Sequence, residues 1–215
     1  MINRRNFATT LAATGSLLAV GTARAQGAAP KEGKDYNALS KPAPTDAPQG
    51  QIEVVEFFWY SCPHCNAFEP RLEAWVKTLP KDVAFRRAPV SFRSDFEPQQ
   101  RLYYVLEALG LIDTLHAKVF YAIHVERKDL RTKDAIANWI ATQNVDKAKF
   151  LQTYDSFTVA SKVRRASQLQ DAYQVEGVPS MGVGGRFYTD GQLTGSMERV
   201  LQTTEYLVAE LRKGR

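Results

Sequence analysis

The chain has 215 residues, of which 44% are hydrophobic and 24% charged, an ordinary balance for one medium-sized or two small globular domains and a poor one for disorder, collagen or coiled coil. Its two cysteines, Cys62 and Cys65, are too few for a disulfide-stapled small scaffold or a four-cysteine zinc site. The formal charge of +5 includes Arg4, Arg5 and Arg24 of a leader, and without them 25 basic residues face 23 acidic ones, which excludes a strongly basic surface for nucleic acid.

Residues 1–25 run from Arg4 and Arg5 through an apolar stretch, residues 7–20, to Ala23-Arg24-Ala25, the small-x-small pattern that a signal peptidase accepts. Thr9, Thr10, Thr14, Gly15 and Ser16 interrupt the stretch, which falls short of the roughly 20 apolar residues of a membrane span. A cleaved signal peptide is expected, with the mature chain starting near Gln26. Arg4-Arg5 before Phe7 also resembles a twin-arginine signal, so the route of export, Sec or twin-arginine, stays open. Either route leads to an oxidising compartment, in a bacterium the periplasm.

Residues 26–50 are rich in Ala, Pro, Gly and Lys and read as an extended lead-in with one short strand at residues 36–39. The β-branched and aromatic run of residues 52–60 predicts a central strand covered on both faces. Ser61-Cys62-Pro63-His64-Cys65 follows directly, and Phe68, Leu72, Trp75, Val76 and Leu79 recur at spacings of three and four, so the strand feeds an amphipathic helix. Cys62 stands at its start, and Pro63 takes a first-turn position where a missing N–H costs nothing. A second strand is expected at residues 83–90.

Between residues 96 and 173 the period is helical throughout. Five helices are marked in turn by Leu102 and Leu106, by Leu115 and Val119, by Ile136 and Ile140, by Phe150 and Tyr154, and by Val159, Val163 and Leu169. They are expected to form a unit with its own small core. Strand signals return at residues 178–183 and 186–188 around a Gly184-Gly185 turn, and Ser196 can cap a last helix carrying Met197, Val200, Leu201, Val208 and Leu211. The organisation is therefore α/β: a leader at 1–25, one domain built from 26–94 and 174–215, and a helical domain, 95–173, inserted into it.

A disulfide between Cys62 and Cys65 would close a four-residue loop, worth about 2 kcal/mol on a chain-entropy estimate against about 4.7 for a 100-residue loop. Chemistry is a better reason to keep it. A sulfur at a helix N-terminus is stabilised as an anion, so Cys62 is expected to be an exposed, low-pKa nucleophile, with His64 adding a hydrogen bond or positive charge. Cys65, one turn further in, is expected to be buried and to act as the resolving thiol. Stabilising the thiolate makes the disulfide easier to reduce, by about 30 mV per 1.4 kcal/mol, which points to an oxidant. Glu56 shares its side of the strand with Val54 and Phe58, so it is expected to face a covered layer and to exchange a proton with Cys65. Arg86-Arg87 and Arg164-Arg165 read as solvated charge runs.

Cys-Pro-His-Cys after an aromatic strand, Glu56 six residues upstream, a helical insertion and Gly177-Val178-Pro179 on the return to the sheet together resemble the DsbA-type thiol:disulfide interchange proteins of the thioredoxin superfamily. The resemblance covers the chain from Tyr36 to the last helix and implies a thioredoxin fold with an inserted helical domain. It implies a catalytic set of Cys62, Pro63, His64, Cys65 and Glu56, and a cis Val178–Pro179 peptide facing the disulfide, with the Val178 backbone holding an extended substrate. Pro70 looks like the kink proline of the active-site helix. The implied activity is donation of the disulfide to reduced, unfolded exported proteins by a monomer. Reoxidation would come from a DsbB-type, quinone-linked membrane partner, with no bound cofactor beyond the redox-active cysteine pair. The glycine-rich stretch Met181-Gly182-Val183-Gly184-Gly185 departs from the family pattern and bears on the shape of the groove.

Other chemistries suit the residues less well. His116 and His124 could complete a zinc site with the cysteines, but they stand eight apart, against the usual three to five intervening residues, and read as ordinary residues of the helical insertion. Haem attachment needs a histidine where Asn66 stands, and the glycines lack the spacing of a dinucleotide fingerprint. A disulfide isomerase or reductant of the same superfamily, or a non-catalytic thioredoxin-like chaperone, are the alternative functions.

Overall fold

The computed structural model describes residues 28–214, so the expected leader lies outside the described residues. Five strands, β1 (Asn37–Ala38), β2 (Ile52–Phe58), β3 (Val83–Pro89), β4 (Ser180–Val183) and β5 (Phe187–Asp190), form one sheet of order β1-β5-β4-β2-β3. β2 runs parallel to β3 and antiparallel to β4. The strand that leads to the cysteines is thus interior, as its unbroken apolar run requires, and all seven of its residues are buried.

Helix α1 (Pro63–Val76) connects β2 to β3. Helices α2 (Glu97–Ala108), α3 (Ile112–His124), α4 (Lys133–Ala141), α5 (Lys147–Tyr154) and α6 (Phe157–Ala172) lie between β3 and β4, and α7 (Gly191–Thr194) and α8 (Met197–Lys213) follow β5. Thr132, Asp146, Ser156 and Ser196 cap α4, α5, α6 and α8 by accepting a first-turn N–H. Sequence periodicity misses α7, a single turn capped by Asp190 that is too short to show a period.

Alternation along β2 divides its side chains between layers. Ile52 and Val54 pack with Phe68 and Leu72 of α1 and with Val200 and Leu207 of α8. Val55 and Phe57 pack on the opposite face against Leu169 of α6 and Tyr173 just beyond it. There the Tyr173 ring lies so close to the sheet that a Cβ on Gly182 would stand 2.4 Å from it, and its hydroxyl accepts the Gly185 N–H at 2.9 Å. Gly182 therefore has a packing cause, whereas Gly184 and Gly185, just past β4, take positive φ in the turn to β5.

Phe58 and Tyr60, at the end of the apolar run, insert among α2 to α6 in a third core that also contains Cys62 and Cys65. This corrects the expectation that the helical block keeps a core of its own. Beyond Phe58 no strand among the described residues lies beside the run, and its large rings are buried against the helices instead.

Candidate active site

Cys62 is the N-cap of α1, with extended backbone, Pro63 in the first turn, and its sulfur accepting the Cys65 N–H at 3.4 Å. A sulfur occupies the place usually held by a serine or aspartate oxygen, where unpaired N–H groups and the helix dipole favour an anion. The hydrogen bond from the Cys65 thiol is the strongest influence on the Cys62 pKa. Together with the backbone N–H groups of Cys65 and His64 and the His64 charge it outweighs burial and holds the pKa down to about 6. Cys65 is fully buried, and burial first, then its hydrogen bond to Cys62 and the nearby charge, pushes its pKa well up. Both are free thiols here.

The expectation of an exposed Cys62 needs correction, since only 7% of the residue is open. The chain returning to the sheet closes over it: Cys62 Sγ lies 3.4 Å from Val178 O, and Val178–Pro179 is a cis peptide. Beside this contact a cleft of about 420 Å³ is lined by His64, Val178, Pro179, Gln192 and Met197, among others. His64 is itself exposed at the rim.

Glu56 is buried on the face that α1 covers. Its Oε2 accepts from Arg87 Nε at 3.0 Å, whereas Oε1 has no hydrogen-bond partner among the described residues. Burial raises its pKa to about 8, Arg87 opposes the shift, and Glu69 and Glu73 reinforce it. The Glu56 charge is in turn felt at Cys65, where it raises the thiol pKa. Arg87 also donates to Glu69 at 2.7 Å and to Glu73 at 2.6 Å, both on α1. It is 9% exposed, so its reading as part of a solvated run is corrected: the β2–β3 register sets Arg87 opposite Glu56.

Several side chains that the sequence does not single out also stand near the cysteines. Gln99, buried in the first turn of α2, accepts the Ser61 N–H at 3.2 Å and donates to Ser61 Oγ at 2.7 Å. His116 and His124 both contact Tyr60 instead of standing as ordinary residues of the insertion. Two of these groups left a signal. Glu69 falls on the Cys65, Phe68, Leu72 stripe and His116 on the Ile112, Leu115, Val119 stripe, and a polar residue inside an apolar stripe needs a partner.

Residues 53–202 match the family of DSBA-like thioredoxin domains. The thiol:disulfide interchange protein DsbA of Bordetella parapertussis is 46% identical over 207 residues, which cover 96% of this chain and 95% of that one. That of Pseudomonas aeruginosa is 43% identical over 180 residues, 84% of this chain and 85% of its own. A crystal structure of Pseudomonas aeruginosa DsbA aligns with a TM-score of 0.81 over 85% of this chain and 94% of that one. The oxidoreductase DsbA from Xylella fastidiosa, 32% identical, aligns with a TM-score of 0.79 over 86% of this chain and 98% of that one.

Proposed function

The chain belongs to the DSBA-like thioredoxin-domain family, and on that footing we propose that it is the oxidant of a disulfide relay, handing its Cys62–Cys65 disulfide to reduced, unfolded exported proteins. The observation that carries this reading is the contrast within one helical turn: a helix-capping Cys62 with a pKa near 6 above a buried Cys65 whose thiol stays protonated.

A substrate thiolate attacks Cys62 Sγ, the Cys62–Cys65 bond breaks, and Cys65 leaves with the electron pair. Glu56 carries a proton up to about pH 8 and supplies it to that sulfur. A second substrate thiolate then attacks the substrate sulfur of the mixed disulfide. The substrate disulfide forms, Cys62 departs as a thiolate, and the protein retains two electrons. A thiol of low pKa leaves readily, so the helix N-terminus and His64 speed this second step. In the reverse direction Cys65 resolves the mixed disulfide by attacking Cys62. The Val178 backbone beside cis Pro179 offers an extended substrate an edge next to the reacting sulfur, and the neighbouring cleft accommodates its side chains.

The cycle closes when a DsbB-type, quinone-linked membrane oxidase removes the two electrons. The protein works as a monomer in the bacterial periplasm after residues 1–25 are removed, and the cysteine pair is its sole redox centre. Equilibration with glutathione, combined with oxidative refolding of a reduced, unfolded substrate, tests the reading. An oxidising potential and efficient refolding are expected. Cys62→Ser should abolish transfer and Cys65→Ser should accumulate mixed disulfides. A potential more reducing than the glutathione pool would place the chain among the reductants, and turnover by either serine variant would overturn the assigned roles.

A further inference from the structure

We propose that α3 is a positioning element for the nucleophile: His124 and His116 hold Tyr60 from its two ends and so set the turn that presents Cys62. β2 ends at Phe58, and among the described residues no strand pairs with the backbone between it and α1, so its buried polar groups need partners from the turn itself or from side chains. The helical block provides them. His124 Nε2 lies 2.8 Å from Tyr60 O, and because a carbonyl only accepts, this nitrogen carries the hydrogen. Gln99 of α2 meets the next residue at its N–H and hydroxyl.

At the other end of the tyrosine, His116 Nδ1 lies 2.8 Å from Tyr60 Oη. His116 Nε2 faces Glu69 Oε1 at 3.3 Å, a loose contact to an oxygen that also takes a hydrogen bond from Arg87. Nε2 completes no hydrogen bond to that oxygen; with its hydrogen directed toward the carboxylate, Nδ1 is bare and the Tyr60 hydroxyl donates to it. Eight residues of helix rise about 12 Å, which lets the two histidines bracket one tyrosine. Phe120 fills the space between them, its ring 5.1 Å from that of Tyr60 and 5.3 Å from that of His116.

The grip reaches the sulfur through the main chain. Trp59 O accepts the Cys62 N–H at 3.0 Å, closing a turn around Tyr60 and Ser61. The orientation of that turn decides whether Cys62 Sγ meets the Cys65 N–H, which it does at 3.4 Å. Neither histidine touches the sulfur, and both act through Tyr60. The inference deepens the proposed reaction and rests on it for its purpose, but thiolate ionisation can be measured without any substrate or redox partner.

The test is an ultraviolet titration of the Cys62 thiolate in the reduced mature chain. His124→Gln sets an amide N–H where Nε2–H stood and should titrate as the parent. His124→Leu should titrate at higher pH, and its equilibrium constant for reduction by glutathione should fall about fivefold, the equivalent of one hydrogen bond. His124→Asn, whose amide is too short to reach, provides the same reading if the leucine variant does not fold. A parent-like midpoint in the leucine or asparagine variant would overturn the role of His124, as would a glutamine variant shifted as far as either. Tyr60→Phe, which removes the hydroxyl contact alone, should shift the midpoint in the same direction by less. No shift there would remove His116 from the proposal.

Discussion

Glu53 and Glu56 are both buried on β2, three residues apart and therefore on opposite faces of the sheet, and each meets an arginine of β3. On the Glu53 face two cations balance two anions, since Arg86 pairs with Glu53 and lies 3.8 Å from Asp46, which Arg165 also meets. Arg86 Nη2 donates to Glu53 Oε1 at 3.0 Å, Arg86 Nε lies 3.0 Å from Oε2, and the Asp46 N–H donates to Oε2 at 2.7 Å. On the Glu56 face one guanidinium serves Glu56, Glu69 and Glu73, and Glu56 Oε1 and Glu69 Oε2 are left without hydrogen-bond partners among the described residues. One cation serves three carboxylates, of which Glu56 and Glu69 are buried and Glu73 is open to water, and burial raises the Glu56 pKa to about 8, so Glu56 is the one that retains a proton at neutral pH. Glu69 stays ionised because its contact with His116 and the Arg87 charge outweigh its burial. The same residue types in one strand thus fasten two strands on one face and store a proton on the other, and the difference is what α1 adds.

Removing the cations should separate the two faces most strongly. Arg87→Met strands buried carboxylates and is expected to cost about 3–5 kcal/mol in urea unfolding. Arg86→Met should cost about 1–3 kcal/mol, because Glu53 keeps the Asp46 N–H and the Arg86 side chain is already 29% exposed. Equal losses would erase the distinction.

Replacing the acids should divide stability from chemistry. Glu53→Gln is expected to cost about 1–2 kcal/mol and leave the rate of disulfide transfer unchanged. Glu56→Gln should match the parent near pH 4, gain stability over it as pH rises toward 8, and slow the step in which Cys65 takes or gives a proton by about 100-fold in stopped-flow measurements. A uniform slowing of both transfer steps would point to misfolding instead.

The pH dependence of stability carries a sign for each titrating group. Glu56 has a folded pKa of about 8 against an ordinary 4.5, so between those values the folded state binds a proton that the unfolded state lacks, and stability falls as pH rises. Glu56→Gln should flatten that window. Cys62 acts oppositely: with a folded pKa of about 6 against 9.0, it adds stability to the reduced protein as pH rises from 6 to 9, and Cys62→Ser should lose this gain. Urea titrations of the reduced variants across pH 4 to 9, a range set by these two linkages, check both. The smallest effect is expected from Glu73→Gln. Its side chain is 44% exposed, so its contact with Arg87 is worth no more than about 0.5 kcal/mol. The loss of its charge should still move the upper edge of the Glu56 window to lower pH.

Much of the architecture is legible in the chain. The run into Phe58 shows an interior strand, the Cys65, Phe68, Leu72 spacing shows the helix after it, and Ser156 and Ser196 mark helix starts by their capping oxygens. Arg87 and Gln99 leave no such trace. One is buried by strand register and the other by the approach of α2 to the turn before Cys62, and neither relation repeats along the sequence.

Local spacing establishes that a sulfur caps a helix, that an imidazole stands two residues on, and that a second sulfur lies one turn deeper, since all three relations fall within a single turn of known geometry. The folded chain settles what those groups meet. Val178 comes to Cys62 across 116 residues of sequence, His124 comes to Tyr60 across 64, and Arg87 is shared among three carboxylates. Such meetings depend on sheet register and on the packing of α3 against α1, and the hydrophobic pattern requires burial there without specifying which polar atoms are buried together.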